Sequence, residues 1–120
     1  MGTSTLLLVF RHVSGTRATQ IDVVPLGAHR ELLLGRAPSA AVRFDPQLDR
    51  EVGRYHARIE PDVVAVRFRI CDLGSRNGTW LNGERLRAPA PICSGDHIRL
   101  GPEGPEVEFR IEVHDGVLEV

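Results

Sequence analysis

Apolar and polar positions alternate with a period of two along most of this chain. No stretch sustains a helical period with caps. The β-branched and apolar density of Thr5–Phe10 predicts a first strand, strands follow at Ile21–Leu26 and Glu31–Leu34, and alternation marks Ala41–Phe44 and His56–Glu60. Pro25 and Gly27 stop the second, and Gly35 ends the third. Pro61-Asp62 reads as a turn. Val63–Cys71 is the clearest alternator, with Val64, Val66, Phe68 and Ile70 on one face and Ala65, Arg67, Arg69 and Cys71 on the other. Thr79-Trp80-Leu81, Ile92, His97–Leu100 and Val107–Val113 complete the set. Many short strands with turn signals every ~8–12 residues predict an all-β sandwich, with loops gathered at its ends. Residues 1–113 read as one domain and 114–120 as a C-terminal tail or the start of a linker.

Composition narrows what such a sandwich does. At 120 residues, 42% hydrophobic and 26% charged, the chain suits one globular core. No apolar run approaches the ~20 residues of a membrane span. Thr5–Phe10 has neither the basic flank nor the cleavage site of a signal peptide, which favours a cytoplasmic protein. A net charge of -1 argues against bulk attraction to nucleic acid or membrane, so any anion site is a local cluster. All fifteen basic residues are arginine, a bias of GC-rich, bacterial style that makes every cation able to fork onto phosphate. Cys71 and Cys93 lack metal-ligand spacing, so no metal or cofactor is expected, and both thiols should be reduced.

Three stretches carry chemistry. Gly35-Arg36 lies at a strand end, Val52-Gly53-Arg54-Tyr55-His56-Ala57 enters a strand, and Ser75-Arg76-Asn77-Gly78-Thr79 precedes one. Each sets polar donors beside glycine at a loop–strand junction. Brought to one end of a sandwich, they would line a shallow anion receptor with guanidinium, amide and backbone N–H groups. Asn82-Gly83 follows as a hairpin turn. Ser75, Asp72 and His56 contain the residue types of a hydrolytic triad, but no G-x-S-x-G elbow accompanies them and no enzyme is expected. Asn77-Gly78-Thr79 fits a glycosylation acceptor that no secretion signal supports.

In order and spacing, "GR" at Gly35, "VGRYHARI" from Val52, "DLGSRNGTWLNG" from Asp72 and "GDHIRLG" from Gly95 resemble the forkhead-associated (FHA) domain. The resemblance implies an eleven-stranded, antiparallel-rich β-sandwich that binds phosphothreonine in a partner protein, a Ser/Thr kinase substrate or the kinase itself. On it, Arg36 matches the arginine that contacts phosphate and Asn77 the asparagine that holds the peptide backbone. Arg76 stands where the family touches phosphate or peptide, and Arg54 is a candidate to face the peptide. Ser75 is counted with the phosphopeptide-binding residues while also bracing its loop, and Gly35, His56, Gly78, Thr79 and Asn82 match positions that shape or brace the loops. Gly53 departs from the pattern, replacing a serine whose hydroxyl binds phosphate and leaving a backbone N–H as the possible donor. Glu51 stands where family members select the residue three after the phosphothreonine, and a carboxylate there would disfavour acidic residues and favour Arg or Lys. The alternative is a phospho-independent scaffold or assembly domain whose phosphate site is partly degraded.

Overall fold

A computed structural model describes residues 4–27, 29–62 and 64–115. These form eleven strands in two sheets. The strands are β1 (Ser4–His12), β2 (Ile21–Pro25), β3 (Leu32–Gly35), β4 (Val42–Arg43), β5 (Ala57–Asp62), β6 (Arg67–Asp72), β7 (Thr79–Leu81), β8 (Glu84–Arg85), β9 (Ala90–Ile92), β10 (His97–Leu100) and β11 (Glu106–Asp115). One sheet runs in the order β2-β1-β11-β10-β7-β8 and the other β4-β3-β5-β6-β9. All pairs are antiparallel except β3 with β4. The expected all-β sandwich is therefore the fold. No helix among the described residues is long and apolar enough to cross a membrane.

The alternation explains the layering. Along β1, Leu8 and Phe10 face inward, and along β11 Val107 and Phe109 do the same. They meet Leu32, Leu34, Ile59, Phe68 and Ile70 of the opposite sheet in one core. Phe109 ties the layers together, its ring 5.5 Å from Phe10 in its own sheet and 5.9 Å from Phe68 across the core. β1 and β11 pair from Ser4↔Asp115 to His12↔Val107, so the first and last strands are neighbours. This ladder takes in His114 and Asp115, while residues 116–120 of the expected tail lie outside the described residues.

Two expectations about the middle of the chain are corrected. β5 continues through Pro61 and Asp62 instead of turning there, and the predicted strand over Val63–Cys71 begins only at Arg67. The ladder Pro61↔Phe68, Asp62↔Arg67 fixes the register and forces the turn into the residues between. The Asp62 carboxylate accepts the Ala65 N–H at 3.2 Å, and Val66 takes φ 50°. Val64 is 98% exposed, so the two valines mimic a strand pattern that burial never enforces. β3 pairs only as far as Ile59, which leaves Pro61 where β5 has a single neighbour and the missing N–H is tolerated. Val63 lies outside the described residues. The Asn82-Gly83 turn, by contrast, links β7 to β8 as expected, with both residues at positive φ, 51° and 84°.

Candidate functional site

The three chemically marked stretches meet at one end of the sandwich. The strand end at Gly35 presses so closely on the next stretch that a Cβ there would sit 2.1 Å from the Arg54 carbonyl oxygen. Arg36 N–H then donates to Gly53 O, and Ala37 N–H to Arg54 O, both at 3.0 Å. The Arg36 side chain turns across the loop between β4 and β5. Its Nε donates to Val52 O and its Nη1 to Pro46 O at 2.7 Å, and Nη2 has no protein partner among the described residues. Asn77 reaches the same stretch from the other side, its Nδ2 donating to Glu51 O at 2.9 Å. Carbonyls 51 and 52 thus hold the two side chains on neighbouring residues.

Behind this clamp sits His56, fully buried. Its Nδ1 accepts the Gly53 N–H at 2.9 Å and its Nε2 lies 2.8 Å from Gly78 O. A carbonyl cannot donate, so the ring is neutral with its proton on Nε2. Burial holds its pKa below the ordinary imidazole value, against the raising effects of the Gly78 contact and of Asp72. This corrects one expectation: the Gly53 N–H is committed to His56 and is not a donor to an outside anion. A Cβ at Gly53 would meet nothing closer than 3.7 Å, and its backbone is not in the left-handed region.

The loop between β6 and β7 is built around Asp72. Its carboxylate accepts Ser75 N–H at 2.9 Å, Ser75 Oγ at 2.5 Å and Thr79 Oγ1 at 2.7 Å. Burial alone would raise the Asp72 pKa, but the hydrogen bonds from Ser75 and Thr79 outweigh it and hold the carboxyl below its usual range. Ser75 Oγ in turn accepts the Gly78 N–H at 2.9 Å. Its hydroxyl is thus spent inside the loop, and His56 is bonded to backbone alone, so Ser75, Asp72 and His56 form no relay. Gly78, at φ 87°, offers its carbonyl both to His56 and to Gly101 N–H, the latter at 2.9 Å. Arg54 and Arg76 are exposed. Asn82 stands back from the cluster, bracing the turn before β10 through Asp96 and the His97 N–H.

Glu51 points away from Asn77. Its Oε2 accepts the Glu103 N–H at 3.1 Å and fills the space that a side chain at Gly101 would need. With Leu48, Asp49, Arg50, Glu103 and Pro105 it lines a groove of about 230 Å³ beside the clamp. Two contributors escaped the sequence reading. Asp72 was visible only as a triad candidate, although an Asp three residues before a Ser is a recognisable turn signal. Asp49 is buried and stitches the β4–β5 loop by accepting Asp45 N–H and Thr16 Oγ1, both at 2.9 Å. Its Thr16 partner lies 33 residues away, so no local pattern announces it.

Fold and site together define a class, a two-sheet β-sandwich whose polar loops are locked to one another at one end. The chain belongs to the FHA domain family, whose family model matches residues 32–101. Among solved structures, the FHA domain of an Arabidopsis thaliana hypothetical protein is 28% identical, with a TM-score of 0.72 over 88% of this chain and 86% of that one. A second, described as an analysis of phosphothreonine-dependent FHA domain interactions, is 26% identical, with a TM-score of 0.68 over 87% and 95% of the two chains. A third, the FhaA FHA domain complexed with the intracellular domain of Rv3910, is 25% identical, with a TM-score of 0.68 over 86% and 99%. No curated protein matches the chain.

Proposed function

We propose that this domain is a cytoplasmic interaction module that binds a phosphothreonine-bearing segment of a partner protein, a Ser/Thr kinase substrate or the kinase itself. The observation that carries this reading is the clamp on residues 51 and 52, which sets the Arg36 guanidinium and the Asn77 amide on adjacent carbonyls. Arg36 keeps Nη2 for the phosphate, joined by exposed Arg76 and Arg54. Asn77 keeps Oδ1 and one N–H for the peptide backbone. The phosphothreonine-dependent interactions described for a relative support the assignment. A phosphate adds about -1.5 to -2 charge and three acceptor oxygens, so a kinase acting on the partner switches binding on. Glu51 and Glu103 in the neighbouring groove favour Arg or Lys three residues after the phosphothreonine.

The test is calorimetric titration with matched phosphothreonine and threonine peptides. Binding of the phosphorylated peptide alone, weakened at least ~tenfold by Arg36→Ala, is expected. Equal binding of the two peptides overturns the reading. It favours instead a phospho-independent assembly domain, for which the specific support is Gly53, a position with neither a hydroxyl nor a free N–H. A phosphothreonine peptide library should return Arg and Lys at the third following position, and enrichment of Asp there would sink the role given to Glu51.

A further inference from the structure

The solvent face of the six-stranded sheet carries a row that the phosphothreonine site does not use. Trp80 stands outward from β7, directly opposite Arg85 on β8 and Arg99 on β10. The Arg85 guanidinium lies over the indole ring at 5.3 Å from its centroid and the Arg99 guanidinium at 5.1 Å. The row abuts the site at two points. Arg85 lies against Gly78, where a Cβ would come within 2.7 Å of its Nε. Arg99 Nε donates at 3.3 Å to Gly101 O, and the Gly101 N–H is bound to Gly78.

The charges on this face are unevenly paired. Toward its middle, Arg11 and Arg110 both pair with Glu108 at 3.1 Å. At the site end, neither Arg85 nor Arg99 forms an ion pair among the described residues. Glu106, which pairs across from Arg99, gives its carboxylate to His97 at 2.7 Å. Two stacked, fixed and unpaired guanidiniums therefore sit next to Asn77-Gly78. Stacking on the indole pre-organises both forks, so little side-chain freedom is left to lose when a carboxylate arrives.

We infer that the Arg85–Trp80–Arg99 row takes an acidic segment of the same partner, flanking the phosphorylated residue. This rests on the phosphothreonine reading for the position of the ligand. A run of Asp or Glu would leave the phosphate site across Gly78 and lie along the row, forking onto both guanidiniums. The groove at Glu51 disfavours acidic residues by charge, so an acidic flank is drawn to the row and not into the groove. A nucleic acid suits the row less well. The ring has a guanidinium drawn over it from the strand on either side and is a poor stacking platform, and the net charge of -1 supplies no extended basic track.

Trp80 is the chain's one tryptophan, so its fluorescence reports on the row alone. Eight peptides are titrated at low salt, with and without phosphate on the threonine, with an acidic or an alanine flank, and with that flank either before or after the threonine. The expected result is that the acidic phosphopeptide binds roughly fivefold more tightly than the neutral one in one of the two placements, with a change in Trp80 emission that the neutral peptide does not cause. Arg85→Gln should bring that ratio close to one, and Arg85→Lys, which keeps charge without the stacked fork, should retain part of it. Raising the salt concentration should shrink the ratio. A ratio near one in the unaltered domain for both placements, or a ratio that Arg85→Gln leaves in place, overturns the inference while the phosphothreonine reading stands. If the acidic peptides bind equally with and without phosphate and shift Trp80, the row stands and the phosphothreonine reading fails. No binding by any acidic peptide, or an emission change produced by oligothymidylate that acidic peptides do not compete away, overturns the inference.

Discussion

On the proposed phosphothreonine reading, residue 53 sets the strength of the site. Glycine there supplies no hydroxyl, and its N–H is already given to His56 at 2.9 Å. A Cβ there would nonetheless make only ordinary contacts, the nearest at 3.7 Å, and the backbone lies outside the left-handed region. Gly53→Ser should therefore tighten phosphothreonine-peptide binding by about tenfold, the worth of one charge-assisted hydrogen bond, with no loss of thermal stability. Calorimetry on the two proteins checks it. His56 sets a second expectation. The unfolded chain takes up a proton near 6.5, whereas the buried imidazole resists protonation. Below that pH the unfolded state binds more protons, so stability is fully present above it and is lost as the pH falls through the depressed folded value. Burial shifts His12 in the same direction, against its hydrogen bond to Asp22, and adds to the slope. Each proton is worth up to ~1.4 kcal/mol per pH unit. Urea titrations between pH 7 and 5 should show this loss, and His56→Gln should reduce it to the part that His12 contributes. That the stretches carrying Arg36, His56 and Asn77 come together was legible in the sequence, because short-range motifs mark them. The engagement of the Gly53 N–H was not, since its partner is set by how a buried ring orients after folding.

Among the elements, the end of β3 is closely constrained. Gly35 lets the backbone at residues 53 and 54 come close enough for the two hydrogen bonds that seat the β4–β5 loop. Gly35→Ala would drive a methyl into the Arg54 carbonyl, so the loop must shift outward and carry Val52 O away from Arg36. About 1–3 kcal/mol of stability should be lost, with peptide affinity falling further than that stability loss would require. Denaturant midpoints and titrations measured side by side test this. The Asn82-Gly83 hairpin was readable because its residues are required by a two-residue turn with positive φ. The span from Val63 misled because alternating valines satisfy a strand template whether or not anything covers them. Only the β5–β6 register, a pairing between segments, reveals that Val64 faces water. Short polar strands such as β8 carry too little pattern to be located at all.

For the molecule as a whole, the division into two sheets follows from alternation, but the order of strands does not. Nothing local announces that β1 lies against β11, a pairing that joins residues 4 and 115. Within the core that holds the two layers, Phe109 makes aromatic contacts in both. Phe109→Ala should cost about 3–5 kcal/mol, seen as a lower urea midpoint with an unchanged slope. The site draws on both sheets in a similar way, and the Gly78 carbonyl is where they join. It accepts His56 from the β5 side and Gly101 N–H from the β10 side, while His56 also fixes Gly53. One oxygen thereby links loops from four parts of the chain, and none can lift away without releasing the others. In deuterated solvent, the amides of Gly53, Gly78 and Gly101 should consequently exchange at a common rate, as a single opening unit, although 48 positions separate the first from the last.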